Sequence, residues 1–244
     1  MIDIFIQIII FLGAVFQTVT GIGFAMITGP FLLISINDSY AIQVNILLNI
    51  ILSLDIAPRV YKYANKKLLI YIILGTLVGL PVGLLCYSSV DVNTLKLIIG
   101  CLVGLMSIRL IFTSKFINSR LQSSRTNELI TGFISGILTA FLAMPGPALA
   151  TYMSETGIYD KKTTRSTILI YFLFAYSLSL INHIAFVGVK VIAYETAIYY
   201  LPVTIIGVIV GSQLVSKVSE EFFRFLIILV LAITSITMIF SSLL

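Results

Sequence analysis

The sequence predicts an all-α integral membrane protein of two repeated halves, each a broken helical hairpin plus three transmembrane helices, with about eight full spans. Three observations lead there. Only 10% of the 244 residues are charged and 59% are hydrophobic, with a mean hydropathy of +1.12, whereas a soluble domain carries about 25% charged residues. Charge-free runs recur along the chain: Ile4 to Asn37, Leu68 to Ser89, Leu97 to Ile108, Leu129 to Ser154, Ser166 to Val189, Thr196 to Ser216 and Phe225 to Leu244. Most reach the roughly 20 residues that cross a hydrocarbon core. Finally, the second half of the chain repeats features of the first.

Taken in order, the chain opens on an apolar region, Ile4 to Ile36, that carries Gly21, Gly23, Gly29 and Pro30. A cleavable signal peptide is not expected, because the N-terminus MID lacks a basic region and the apolar stretch runs far beyond a typical signal core. Ordinary spans follow at 40–57, 68–88 and 94–113, then a basic loop from Lys115 to Arg125. A second interrupted region, Leu129 to Ser154, holds Pro145, Gly146 and Pro147, and is followed by spans at 164–187, 192–214 and 222–243. One membrane domain therefore covers 1–244, with repeat one at about 1–114, the loop at 115–126 and repeat two at about 127–244. Nothing is left over for a soluble domain.

The repeat is legible in GLPVGLLCYSSVDVNTLKLI, Gly79 to Ile98, set against GVIVGSQLVSKVSEEFFRFL, Gly207 to Leu226. Gly79 aligns with Gly207, Gly83 with Gly211, Val90 with Val218 and Lys96 with Arg224, while Gly29-Pro30 recurs as Gly146-Pro147. Each Gly-x-x-x-Gly pair puts two glycines one turn apart on a helix face, which is a signal for close helix packing.

The net charge of +5 sits in loops between apolar runs, the pattern of cytoplasmic loops rather than of a nucleic-acid surface. Cys86 and Cys101 stand alone in apolar segments and point to neither a disulfide framework nor a metal site. Orientation depends on the interrupted regions. If each crosses once, the halves are parallel and Lys161, Lys162 and Arg165 fall outside. If each is a tight hairpin, the halves are inverted, and those residues join Lys66, Lys67, Lys217 and Arg224 in the cytoplasm. The positive-inside bias favours the second count, with both termini outside. The second arms have only about 15 residues, which leaves both spanning and re-entrant arms open.

Broken helix is tolerated in hydrocarbon only where protein buries it or water lines it. The glycines and prolines of TGIGFAMITGP and LAMPGPALA therefore mark a cavity. A helix that starts at such a break aims free N–H groups and its positive dipole end inward, which suits an anion. Two breaks in corresponding places point to a transporter site near the membrane midplane. Plain packing and simple hairpin turns are the competing explanation.

These features resemble the TauE/SafE family of membrane permeases, the sulfite exporter family. The resemblance rests on GIGFAMITGP followed by FLL, its second-half counterpart, NDSYA after the first break, and the twice-used Gly-x-x-x-Gly pattern followed by Lys or Arg in an apolar helix. It covers nearly the whole chain. Ile22 and Phe24 interrupt the glycine run of the first copy, and the second reads MPGP. The resemblance implies secondary transport of a small anion such as sulfite, thiosulfate, a sulfonate or a related carboxylate, and the two matched breaks suggest that it works by alternating access.

The residues expected to hold the anion are Gln17, Thr20, Gly21, Gly23, Phe24, Asn45 and Asn49 in the first half, with Pro145, Gly146, Pro147 and Ala148 in the second. For the polar side chains, hydrogen bonding between helices is an equal explanation. The second half also offers Thr139, Thr151, Tyr171, Ser177 and Asn182, and Asp55 has a local ion-pair partner in Arg59. His183, the single histidine, is a candidate proton relay, with a packed histidine as the alternative. No metal or other cofactor is expected, and no nucleic acid. The expected partners are the anion, protons as candidate coupling ion, and the lipid bilayer; a homo-oligomer is compatible. A channel or a non-transporting scaffold is the alternative function. An intramembrane enzyme is disfavoured because no HExxH, GxSxG or GxGD stretch occurs.

Overall fold

A computed structural model describes residues 2–112, 122–215 and 220–243. The described chain is helical, with no strand: α1 (Ile2–Thr20), α2 (Phe24–Ile36), α3 (Tyr40–Val60), α4 (Lys66–Ser89), α5 (Val92–Phe112), α6 (Arg125–Leu142), α7 (Gly146–Thr156), α8 (Lys161–Phe186), α9 (Val191–Leu214) and α10 (Glu220–Leu243). Five helices, α1, α3, α4, α8 and α9, are long and apolar enough to cross a membrane. The loop residues from Lys115 to Arg120, Lys217, and the side chains of Arg109 and Arg224 lie outside the described residues.

The helices gather into two compact units that cut across the sequence repeats. One holds α1, α2, the first turns of α3, α5, α9 and α10; the other holds the rest of α3 with α4, α6, α7 and α8. In the first unit α2 folds back on α1. Phe5 meets Phe31 edge to face at 5.7 Å, and Gly13 sits against Thr28 and Phe24. Along α1 lies α9: a Cβ on Gly207 would stand 2.8 Å from the Phe11 carbonyl oxygen, and one on Gly211 2.9 Å from that of Val15. Both contacts advance in the same sense, so α9 runs parallel to α1. By contrast α5 and α10 are antiparallel, with Gly104 facing Ser235 and the Ser107 hydroxyl donating to the Ile228 carbonyl at 3.2 Å.

The second unit repeats the device with the roles of the halves exchanged. A Cβ on Gly75, Gly79 or Gly83 of α4 would stand 2.1, 2.1 or 2.4 Å from the carbonyl oxygens of Leu129, Phe133 and Ile137 on α6. Gly132 and Gly136 of α6 press back against Ile72 and Thr76. Such backbone contact is what small residues permit between helices in lipid, where burying apolar side chains from water supplies no drive. Both Gly-x-x-x-Gly pairs read from the sequence thus pack against the first helix of the opposite half.

Many polar side chains are buried among the apolar core, while the exposed helix faces are largely apolar, as expected where lipid is the solvent. Asn45, Asn49, Thr76, Ser135, Thr139 and Ser179 are fully buried, while Ile70, Leu74, Leu77 and Val78 are exposed along α4. Charges collect near helix ends. Arg59 and Asp55 form the expected ion pair at 2.7 Å, and Lys162 lies 3.4 Å above the Tyr63 ring.

Two expectations need correction. Gly29 and Pro30 do not interrupt the first region, because both lie inside α2. The break there is confined to Gly21–Gly23, and its counterpart by helix boundaries is Ala143–Pro145. Depth is the second correction. Since Gly83 faces Ile137, the ends of α4 at Ser89 and of α6 at Leu142 are nearly level; Gly211 faces Val15 and Thr18, so α9 and α1 also end nearly level. Each hairpin therefore turns near the C-terminal end of the long helix beside its first arm, not at that helix's middle.

Candidate functional site

At the first break Gly21 has φ 90° and Gly23 φ 133°, values that glycine alone adopts without strain. The chain closes α1 with the Gly21 N–H on the Gln17 carbonyl at 2.8 Å, then turns about Thr20, whose hydroxyl donates to the Ile22 carbonyl at 2.6 Å and accepts from the Ile22 N–H at 3.2 Å. The buried Gln17 side chain caps α2: its Oε1 accepts the Phe24 N–H at 3.1 Å. The Ile27 N–H returns to the Gly23 carbonyl at 2.9 Å. The N–H groups of Gly23, Ala25 and Met26 are left with no partner among the described residues, although all three residues are buried.

Thr28, which sequence reasoning did not single out, braces this first turn. Its hydroxyl donates to the Phe24 carbonyl at 2.7 Å and lies 3.0 Å from Asn45 Oδ1, while Asn45 Nδ2 reaches the Ala25 carbonyl at 3.4 Å. Asn45 thus joins the first break. Asn49, one turn further along α3, is fully buried.

The second break ends α6 with Ala143 at φ 54°, a left-handed residue that is not glycine. The Met144 N–H bonds the Leu138 carbonyl at 3.1 Å and the Ala143 N–H bonds that of Thr139 at 2.9 Å, the pattern that ordinarily selects glycine at this position. Pro145 precedes α7 and Pro147 stands in its first turn, where a missing N–H costs no helical bond. Side chains hold the carbonyls of the break. Ser135 donates to the Pro145 carbonyl at 2.6 Å, and Tyr176 donates to that of Ala143 at 3.1 Å. Behind Ser135 stands Tyr171, whose hydroxyl donates to it at 2.7 Å and lies 2.8 Å from that of Thr76. The N–H groups of Gly146 and Ala148 stay outside this network.

Both breaks thus present the same chemistry. The carbonyls of Ile22 and Gly23 at the first break and of Ala143 and Pro145 at the second are held by the chain, while a few N–H groups at each helix start have no partner among the described residues. Such groups, with the positive end of the helix dipole, attract an anion. Neither Lys nor Arg occurs in 20–30 or 143–150, so a bound anion would meet dipoles rather than a fixed charge. Thr76, Ser135 and Tyr176 were missed at the second break; Ser135 and Thr139 share a face of α6 one turn apart, which was the signal available. His183 lies away from these hydrogen bonds, fully buried near the C-terminal end of α8. Among the described residues no three His, Cys, Asp or Glu side chains converge as a metal site.

The family model described as sulfite exporter TauE/SafE matches residues 6–238, which include both breaks and both glycine pairs. The chain belongs to the TauE/SafE family. It is accordingly a multi-pass membrane protein of a transporter family, with a small anion as substrate and the lipid bilayer as its surroundings. No curated protein and no solved structure matches the chain. In this TauE/SafE protein the helix boundaries place the two breaks at Gly21–Gly23 and Ala143–Pro145.

Proposed function

We propose that this TauE/SafE protein is a secondary transporter of a small sulfur-containing oxyanion or organosulfonate and works by alternating access. The observation that carries the proposal is the set of N–H groups at the starts of α2 and α7 that have no partner among the described residues: those of the buried Gly23, Ala25 and Met26 in one, those of the buried Gly146 and the half-buried Ala148 in the other. Oriented dipoles bind an anion without a permanent buried countercharge, so it can be released again. Gln17, Thr20 and Asn45 shape the first site, and Ser135, Tyr171 and Tyr176 hold the second.

In this proposal the halves are inverted. Support comes from the two hairpins, each of which folds back on itself, and from the positive-inside bias of Lys66, Lys67, Lys161, Lys162 and Arg165. Consecutive spans then alternate, so α4 ends outside and α9 ends inside. Access to the held anion switches from one side of the membrane to the other as the protein changes state.

The test is flux into proteoliposomes with a panel of sulfite, thiosulfate, sulfoacetate, sulfate and small carboxylates. Saturable uptake of a sulfur-containing anion, with counterflow, supports a carrier. Non-saturable conductance would make the protein a channel, and failure of every anion to move while a cation or neutral amino acid does would overturn the proposal.

A further inference from the structure

The second unit contains a fully buried histidine with an unused hydrogen-bonding atom. His183 has no exposed surface. Its Nδ1 lies 2.9 Å from the Ser179 carbonyl. Because a carbonyl only accepts, Nδ1 carries the hydrogen, and in the neutral ring Nε2 is a lone pair. No partner for Nε2 is present among the described residues. Leaving such an atom unpaired in a protein interior is costly and uncommon, and marks a position with a task.

The surroundings define that task. Tyr87 of α4 packs edge-on against the imidazole at 4.9 Å between centroids. It is the titratable group facing the ring from the neighbouring helix; on α8 itself Ser179 lies beneath the ring, and among the described residues no carboxylate or cation forms an ion pair with His183. A single isolated imidazole is too few ligands for a resident metal. It is sufficient for one proton at Nε2, which turns a neutral ring into a cation.

Position ties that proton to the anion. Tyr176, Ser179 and His183 recur at helical spacing on the buried face of α8, and Tyr176 holds the Ala143 carbonyl of the second break. Tyr87 lies in the last turn of α4, the end at which that break also turns. We infer that His183 is the coupling group of the transporter: Nε2 takes up a proton as the anion binds at the start of α7, and gives it up when the anion leaves. The imidazolium offsets the charge of the anion, which the dipoles of the break do not neutralise. By linkage the anion raises proton affinity as much as the proton raises anion affinity. This inference rests on the anion-transport proposal and adds the coupling ion to it.

The experiment uses the full-length protein in proteoliposomes with radiolabelled thiosulfate. Two assays run in parallel: thiosulfate exchange without a gradient, and accumulation driven by a pH gradient. Wild type is expected to exchange, and to concentrate thiosulfate by about tenfold per pH unit for one coupled proton. His183→Gln keeps polarity and His183→Phe keeps the ring against Tyr87; neither binds the proton. Both are expected to lose pH-driven accumulation and, without the offsetting charge, to exchange thiosulfate more weakly. Driven accumulation by either variant equal to wild type overturns the assignment, as does wild-type accumulation that ignores the pH gradient, a result that needs no variant to fold. If wild type moves thiosulfate in neither assay, the transport proposal itself fails for this anion, and the coupling assignment with it.

Discussion

Replacing Gly79 by alanine tests whether the contact between α4 and α6 positions the second break. The added Cβ would lie 2.1 Å from the Phe133 carbonyl oxygen and 2.9 Å from its carbon, where ordinary contact begins at 3.4 Å. Helix backbone cannot rotate aside, so α6 must retreat by about 1.3 Å to restore that spacing, taking Ser135 and the Pro145 carbonyl with it. Overpacking of this kind costs about 1–3 kcal/mol, several degrees of melting temperature at the ~2–4 °C per kcal/mol typical of a chain this long. Gly104→Ala is the comparison. Its Cβ would meet the Ser235 hydroxyl at 2.5 Å and nothing else within 3.4 Å. That side chain can turn away at the loss of one hydrogen bond to the Gly100 carbonyl, about 1 kcal/mol. Melting followed by size-exclusion chromatography in detergent should rank Gly79→Ala well below Gly104→Ala, with slower transport for Gly79→Ala. Equal melting of Gly79→Ala and wild type, or a larger loss from Gly104→Ala, would refute the reasoning.

Other outcomes follow from individual contacts. Gln17→Glu keeps an acceptor for the Phe24 N–H but puts a negative charge beside the first anion site; like charges about 4 Å apart at an effective dielectric of 20 repel by about 4 kcal/mol, so thiosulfate affinity by calorimetry should fall at least tenfold, and unchanged affinity would remove α2 from the site. Ser135→Ala strips the donor from the buried Pro145 carbonyl and should destabilise by about 1–3 kcal/mol, whereas Tyr171→Phe leaves that bond in place and should cost less; thermal melting of the pair decides the order. Asp160 caps α8 through the Thr163 N–H at 3.2 Å, and its carboxyl is held below the usual range chiefly by its hydrogen bond with the Thr163 side chain. The stability this adds is present in full above the ordinary carboxylate range and is lost as the pH falls through the lowered value, so the melting difference between wild type and Asp160→Ala should be present at neutral pH and close in acid. Cysteines placed at Lys66 and Lys161 should be labelled from the same, cytoplasmic side by an impermeant maleimide; labelling from opposite sides would restore parallel halves.

Helices were legible because membrane spans announce themselves by charge-free length. The spans predicted at 68–88 and 192–214 coincide within a few residues with α4 and α9, and the glycine pairs flagged for close packing are in backbone contact. The limits of the breaks were less legible, because glycine and proline have several uses. Pro30 looked like part of the first break but lies in α2, while Ala143, an ordinary residue by composition, adopts the left-handed turn that ends α6. What forces it there is not local sequence alone but Tyr176 and Ser135, which hold the carbonyls on either side from α8 and α6. The partners of each glycine pair were hidden for the same reason: nothing near Gly79 in the chain says that Phe133 will face it.

The central claim, that the buried N–H groups at the two breaks hold the transported anion, is tested most directly by thiosulfate flux into proteoliposomes carrying wild type, Gly23→Leu or Gly146→Leu. A side chain at Gly23 is barred by φ 133° and by the Phe16 ring, whose nearest atom would lie 2.8 Å from the new Cβ; at Gly146 it crowds an N–H group available to the anion. The account predicts saturable flux for wild type and loss of both binding and flux in whatever fraction of each variant is recovered monodisperse in detergent. Well-folded variants that still bind and carry thiosulfate at the wild-type rate would contradict it and place the anion elsewhere in the protein.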